Sequence, residues 1–161
     1  MRIEKLLVVL LTMFAPLLMS CGGSSSNAAT LPPSVMFTVI VSGNNTISGV
    51  PENRKIEVFT NQASFNSSLY LYIQPIKEHT VDFSMRRVAL LSLGGRSTSG
   101  YSISVENIED FGEYIKAKVL IKKPGSNCIV TQSLTSAYEF IEIESVKELV
   151  FEERVAVVNC I

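Results

Sequence analysis

The sequence predicts a mainly β, α+β domain, built as an antiparallel β-sandwich or a strongly twisted sheet that carries one short helix. Three observations predict it. Short runs rich in Val, Ile, Phe and Tyr recur with turn residues between them, only one stretch changes from a period of two to a helical period, and no internal repeat is evident.

The first run, Val35-Met36-Phe37-Thr38-Val39-Ile40-Val41, is dense in β-branched residues and stops at the turn composition Ser42-Gly43-Asn44-Asn45, so it reads as a strand. Ile56 and Val58, with Val50 as a further candidate, make a second short strand after Pro51-Glu52-Asn53. Thr60 or Asn61 then caps a helix over about Gln62 to Tyr72. Its inward face carries Ala63, Phe65 and Leu69, with Tyr70 as an additional candidate, although Ser67 and Ser68 are poor helix formers. Val88-Ala89-Leu90-Leu91-Ser92-Leu93 is apolar on both faces and predicts a buried strand. Tyr101, Ile103 and Val105 alternate with Ser102, Ser104 and Glu106, as a half-buried strand does. Further alternation predicts strands from Ile115 to Lys122, Ile129 to Leu134, Tyr138 to Ile143 and Leu149 to Val158, for seven or eight strands altogether.

Ahead of this domain, Arg2 and Lys5 precede an apolar run of about 13 residues, Leu6 to Leu18, and small Ser20 stands just before Cys21. This is the layout of a secretory signal over residues 1–20, too short for the ~20 residues that cross a bilayer core. Leu18-Met19-Ser20-Cys21 resembles a bacterial lipobox. That resemblance implies cleavage before Cys21, diacylglycerol on its thiol and an acylated amine; the alternative is an ordinary signal with a chance cysteine. At roughly 0.8 kcal/mol per buried methylene, more than one acyl chain anchors a protein stably. Gly22 stands where inner-membrane lipoproteins of many Gram-negative species carry Asp, which points to the outer membrane of the cell envelope. Residues 21–33 open Gly22-Gly23-Ser24-Ser25-Ser26-Asn27 and read as a flexible tether spanning on the order of 20 Å. Residues 34–161, about 128 in number, form the single expected domain, long enough for a sizeable core.

The chain carries 14 basic and 15 acidic residues, a net charge of −1. Loss of residues 1–20 would remove Arg2, Lys5 and Glu4, leaving 12 basic and 14 acidic residues, a charge of −2. That balance offers no electrostatic footprint for nucleic acid or anionic lipid. Of the three cysteines, Cys21 belongs to the lipid, and an exported domain sees an oxidising compartment, so Cys128 and Cys160 read as one disulfide. Two free buried thiols are the alternative. His79 is the only histidine, and neither cysteine has another at metal-ligand spacing, so no metal site is expected.

The segment Gly94-Gly95-Arg96-Ser97-Thr98-Ser99-Gly100-Tyr101 lies between two predicted strands, where its glycines supply positive φ or room for a bulge. A phosphate loop needs Lys-Ser/Thr and a helix after its last glycine, whereas Gly100 is followed by Tyr101 and a strand. Gly95-Arg96-Ser97-Thr98-Ser99 lacks the second glycine and the following helix of a nucleophile elbow, and His79 would have to be its base. His79, Arg86-Arg87, Glu109-Asp110, Glu142, Glu144 and Glu152-Glu153 read as exposed or solvated charge. No catalytic residue and no cofactor is therefore expected, and the chain is not read as an enzyme.

Taken with its flanks, the same segment resembles the C-terminal domain of the PrcB family, lipoproteins associated with the stability of a secreted protease complex. That family shows an apolar strand, a Gly-x-(Pro)-Thr-Gly-Gly-Tyr loop and an alternating strand. Here Val81-Asp82-Phe83-Ser84 precedes the first strand in the family manner, and Thr98, Gly100 and Tyr101 match the loop. The likeness continues through Pro124-Gly125-Ser126-Asn127-Cys128, Thr131-Gln132 and Val150-Phe151-Glu152-Glu153 to Cys160. Upstream it takes in Ser48-Gly49-Val50 and Asn61-Gln62-Ala63-Ser64-Phe65, so it covers about Thr46 to Cys160. Ser97 stands where the family often has proline and Ser99 where it often has glycine, which leaves the loop less rigid at one position and more restricted in φ at the other. The resemblance implies a membrane-anchored, non-catalytic interaction domain that binds or stabilises an exported partner such as a protease, using the loop from Gly94 to Tyr101; it carries the partner only by analogy. The alternative is a protease inhibitor, because Thr98, Gly100 and Tyr101 also match the cleft-occluding loop of the chagasin-like inhibitors.

Overall fold

The computed structural model describes residues 30–44, 53–73 and 78–160. The signal segment, Cys21, the tether through residue 29 and the turn Ser48-Gly49-Val50 lie outside them. Within the described residues the chain forms, in order, β1 (Phe37–Gly43), β2 (Lys55–Phe59), α1 (Gln62–Leu69), β3 (Arg87–Ser92), β4 (Ser102–Asp110), β5 (Tyr114–Pro124), β6 (Tyr138–Ile143) and β7 (Glu148–Val158). An antiparallel sheet has the order β1-β6-β3-β2, and a second sheet has the order β4-β5-β7. The mainly β prediction with one short helix holds. One pairing departs from the antiparallel pattern, since β7 runs parallel to β5. Between these two strands the chain visits the other sheet as β6, so β7 returns in the direction of β5 without a hairpin.

The apolar pattern of β3 reflects its position in the middle layer of three. Ala89 and Leu91 face the second sheet and join Ile103, Val105, Ile108, Ile115, Ala117, Val119, Ile121, Ile141 and Ile143 in an inter-sheet core. Val88 and Leu90 point the other way, to a core with Phe59, Phe65, Leu69, Tyr72, Val81, Tyr138 and Phe140 under α1. A strand covered on both faces must be apolar at consecutive positions, because period-two alternation sends neighbours to opposite cores. Phe140 lies in a ring cluster with Tyr72 at 5.3 Å and Phe65 at 6.1 Å, the edge-to-face geometry that aromatic quadrupoles favour.

Asn61 caps α1: its side-chain oxygen accepts from the Ser64 N–H at 2.9 Å, while its own backbone stays extended. The helix ends at Leu69, short of the expected Tyr72. Leu71 and Tyr72 instead donate to the Ser68 and Leu69 carbonyls, a tighter three-residue spacing that turns Tyr72 inward. Phe65 and Leu69 are buried as expected, but Ala63 and Tyr70 are exposed, and Tyr72 takes the place expected for Tyr70.

The run from Ile129 to Leu134 is not a strand. Its alternation is broken by the exposed polar stretch Thr131-Gln132-Ser133, and its tie to other elements is with the loop described below.

Candidate functional site

The loop from Gly94 to Tyr101 joins β3 to β4 at one end of the sandwich, and the sequence dictates how it is held. Gly94 has φ +68°, and a Cβ there would sit 2.5 Å from the Asn53 carbonyl carbon, so only glycine lets the chain leave β3 against that backbone. Gly100 has φ +94°, and a Cβ there would press to 3.2 Å from Pro124. Between them the backbone is stitched to the segment that was expected to be a strand. Arg96 and Thr135 exchange both hydrogen bonds, at 2.8 and 2.9 Å. The Ser99 N–H donates to the Thr131 carbonyl and the Thr131 N–H to Ser99 Oγ, both at 3.0 Å. Thr135 Oγ1 donates to the Thr98 carbonyl at 2.9 Å. Residues 128–135 therefore act as a strap across the loop, using the polar groups of Thr131 and Thr135 where a strand ladder would otherwise be.

The strap is anchored at its start. Cys128 and Cys160 form a disulfide, with Cα atoms 4.9 Å apart, which fastens it to the residues after β7. The Gly125 N–H donates to the Val158 carbonyl at 2.8 Å, and Asn127 Nδ2 donates to the Cys160 carbonyl at 2.5 Å. The expected pairing of these two cysteines is therefore present.

Gly94 is buried and Gly95 half-buried, its carbonyl accepting from Arg96 Nη1 at 3.0 Å. The Arg96 guanidinium carbon lies 5.7 Å from the Tyr101 ring centroid, within cation–π range. Tyr101 is half-buried against the inter-sheet core, on the same face as Ile103 and Val105. Thr98 and Ser99 are half-buried, and Ser97 and Gly100 are exposed. What this end offers to solvent is mixed: Thr131, Gln132 and Ser133 are exposed polar residues, and an apolar patch adjoins them in the chain. A hollow of about 210 Å³ is lined by Ser99, Gly100, Pro124, Ile129, Val130, Val158 and the Cys128–Cys160 pair, and Ile129 on its rim is fully exposed. Leu134, also on the strap, is 64% exposed.

Two buried carboxylates were not legible as such in the sequence. Glu142, expected on a solvated face, is only 8% exposed and sits on the helix side of β6. It holds His79 Nε2 at 2.6 Å and Arg86 Nη1 at 2.5 Å. Burial alone would raise its pKa, but the hydrogen bonds from His79 and Arg86 outweigh burial and hold it below the usual glutamate range. His79 is accordingly a half-buried partner and not a free surface residue, and Gln62 fixes it by donating to its carbonyl at 2.8 Å while accepting from the Val81 N–H at 3.0 Å. Three residues earlier on β6, Glu139 is 6% exposed and faces the other sheet. Burial pushes it up, opposed by the Val105 N–H that donates to it at 2.8 Å. It lines a cleft of about 400 Å³ together with Asn44, Ser102, Ser104 and Tyr138. The signal that could have found both is their place inside Tyr138-Glu139-Phe140-Ile141-Glu142-Ile143, a run buried on both faces, where any carboxylate must have a partner.

Compared with known families, residues 87–144 match the family model described as PrcB C-terminal. The match runs from the first residue of β3 through the loop, β4, β5, the strap and β6. The likeness stated from the sequence is therefore supported over this stretch, while β1, β2, α1 and β7 lie outside it. No curated protein and no solved structure matches the chain.

Proposed function

We propose that this chain is a membrane-anchored, non-catalytic binding domain of the cell envelope, whose strapped loop end engages another exported protein, a protease complex being the partner that the PrcB likeness points to. One observation carries the reading: the loop, its strap and the family match coincide, and at that place the apolar side chains of Ile129 and Leu134 stand exposed at either end of the polar stretch Thr131-Gln132-Ser133. A surface that presents exposed apolar side chains from a backbone held by hydrogen bonds and a disulfide loses little conformational entropy on binding. Anchoring rests on the lipobox, and mass spectrometry of the mature terminus is expected to find an acylated Cys21. An unmodified Met1 terminus on membrane-free protein would contradict it.

The inhibitor reading fits less well. Occluding a cleft requires a loop that projects, whereas the Thr98 carbonyl is bonded to Thr135 and Ser99 to Thr131, drawing the loop back onto the strap. The test sets the chain against several protease classes and follows the half-life of exported proteins when it is deleted. A partner that becomes short-lived, and is rescued by the parent chain but not by Ile129→Asp, supports the binding reading. Sub-micromolar inhibition of a papain-like protease, abolished by Thr98→Arg at unchanged Tm, would replace it with the inhibitor.

A further inference from the structure

Among the described residues the two sheets have four edges, and three of them are blunted against further pairing. β1 carries a register shift between Val39 and Val41. β4 carries one between Val105 and Asn107, and Pro33 to Val35 lies along its far end, the Val35 N–H donating to the Ile108 carbonyl at 2.8 Å. β2 has only five residues. β7 is longer and more regular: it has 11 residues in unbroken register with β5, contains no proline or lysine, and leaves Val150, Val155, Val157 and Val158 exposed alongside the charges of Glu148, Glu152, Glu153 and Arg154. An edge of that kind is a template for another strand.

Period and charge decide which strand fits. The Val158 carbonyl accepts from Gly125, directly after β5, so the even-numbered residues of β7 turn their backbone groups toward β5. The odd-numbered ones, 149 to 157, then turn theirs outward. A second copy of β7 laid antiparallel about a twofold axis at Glu153 brings outward-facing residues opposite one another: Leu149 to Val157, Phe151 to Val155, and Glu153 to itself. In that register each such pair exchanges two hydrogen bonds, about ten in all. The even-numbered residues become the closer, non-bonded pairs, and at their centre Glu152 meets Arg154 of the other copy twice over. Both are more than half exposed; Glu152 pairs with Lys116 through Oε2 at 3.0 Å, which leaves Oε1, and Arg154 uses only Nε and Nη2 on Glu106, which leaves Nη1 for a carboxylate across the strand. The like charge at the axis is offset within each copy, where Glu153 is ion-paired with Arg54.

We infer that β7 is a self-complementary dimerisation edge, joining two copies into one continuous six-stranded sheet. The pairing is isologous and closes on itself. Because β7 reverses across the axis, the two loop ends, each next to a Val158, point away from each other and stay free. The inference stands independently of what the loop end binds.

The test uses the full chain. Glu153→Cys, mildly oxidised and judged against the unsubstituted chain, is expected to give a covalent dimer, because the axis places the two Cα atoms at ~5.5 Å. Val150→Cys, opposite position 156 and not itself, is expected to give far less. By sedimentation, Arg154→Glu should weaken the dimer about tenfold by placing like charges opposite each other, and adding Glu152→Arg should restore it. A chain that sediments as a monomer at high concentration would overturn the inference. So would a Glu153→Cys chain that cross-links no better than Val150→Cys, or one that captures a different protein instead of itself.

Discussion

Gly94 decides how the chain leaves the central sheet. A side chain there would meet the Asn53 backbone at 2.5 Å in a left-handed conformation, so Gly94→Ala is expected to lower stability by about 2 kcal/mol or more, read as a fall in Tm. Tyr101 behaves differently because its ring is shared between the core and the Arg96 guanidinium. The sequence could anticipate its face, since Tyr101, Ile103 and Val105 fall at alternate positions. His79 is the opposite case. A lone histidine between Glu78 and Thr80 reads as polar surface, and nothing local announces that Glu142 binds it from 63 positions away.

The elements show what alternation can and cannot reveal. Strand β6 displays consecutive burial because it serves two cores, and the same geometry sends Glu139 and Glu142 to opposite faces with opposite pH behaviour. Glu142 has a depressed pKa in the fold, so its contribution is present above the ordinary glutamate range and is lost as pH falls through that range toward the folded value. Glu142→Gln is expected to cost about 1–3 kcal/mol at neutral pH and to flatten the acid limb of the stability curve measured by denaturant titration. Glu139 has a raised pKa, so the folded state holds its proton longer than the unfolded one, and stability falls as pH rises from the ordinary range to the folded value. The stability of Glu139→Gln relative to the parent should therefore rise as pH climbs from the ordinary glutamate range toward the raised folded value. Strands β1 to β7 and the helix start were legible from composition, period and cap. The strap was not, because Ile129, Val130 and Leu134 imitate a strand while the backbone of Thr131, the backbone and hydroxyl of Thr135 and the disulfide do the holding. The parallel setting of β7 was also hidden, since nothing in a strand's own residues specifies its neighbour's direction.

Across the whole molecule, the Cys128–Cys160 bond closes a loop with a sequence separation of 32 and ties the strap to the end of β7. Chain entropy for a loop of that length is worth roughly 3–4 kcal/mol, so Cys160→Ser should lower the Tm measurably. The same change should loosen the loop end before the helix-side core, which hydrogen exchange at Ser99 and Thr131 against Phe140 would resolve. The central claim is that this end of the sandwich is where an exported partner sits. Its most direct test is site-specific photo-cross-linking in native cells, with the reactive residue at Ile129 and, for comparison, at Met85, which is 69% exposed on a turn outside the loop end. The account predicts one exported protein cross-linked from position 129 and not from position 85, and its loss when Leu134→Asp is added. Equal cross-linking from both positions, or none from position 129 while the partner still co-purifies, would contradict it.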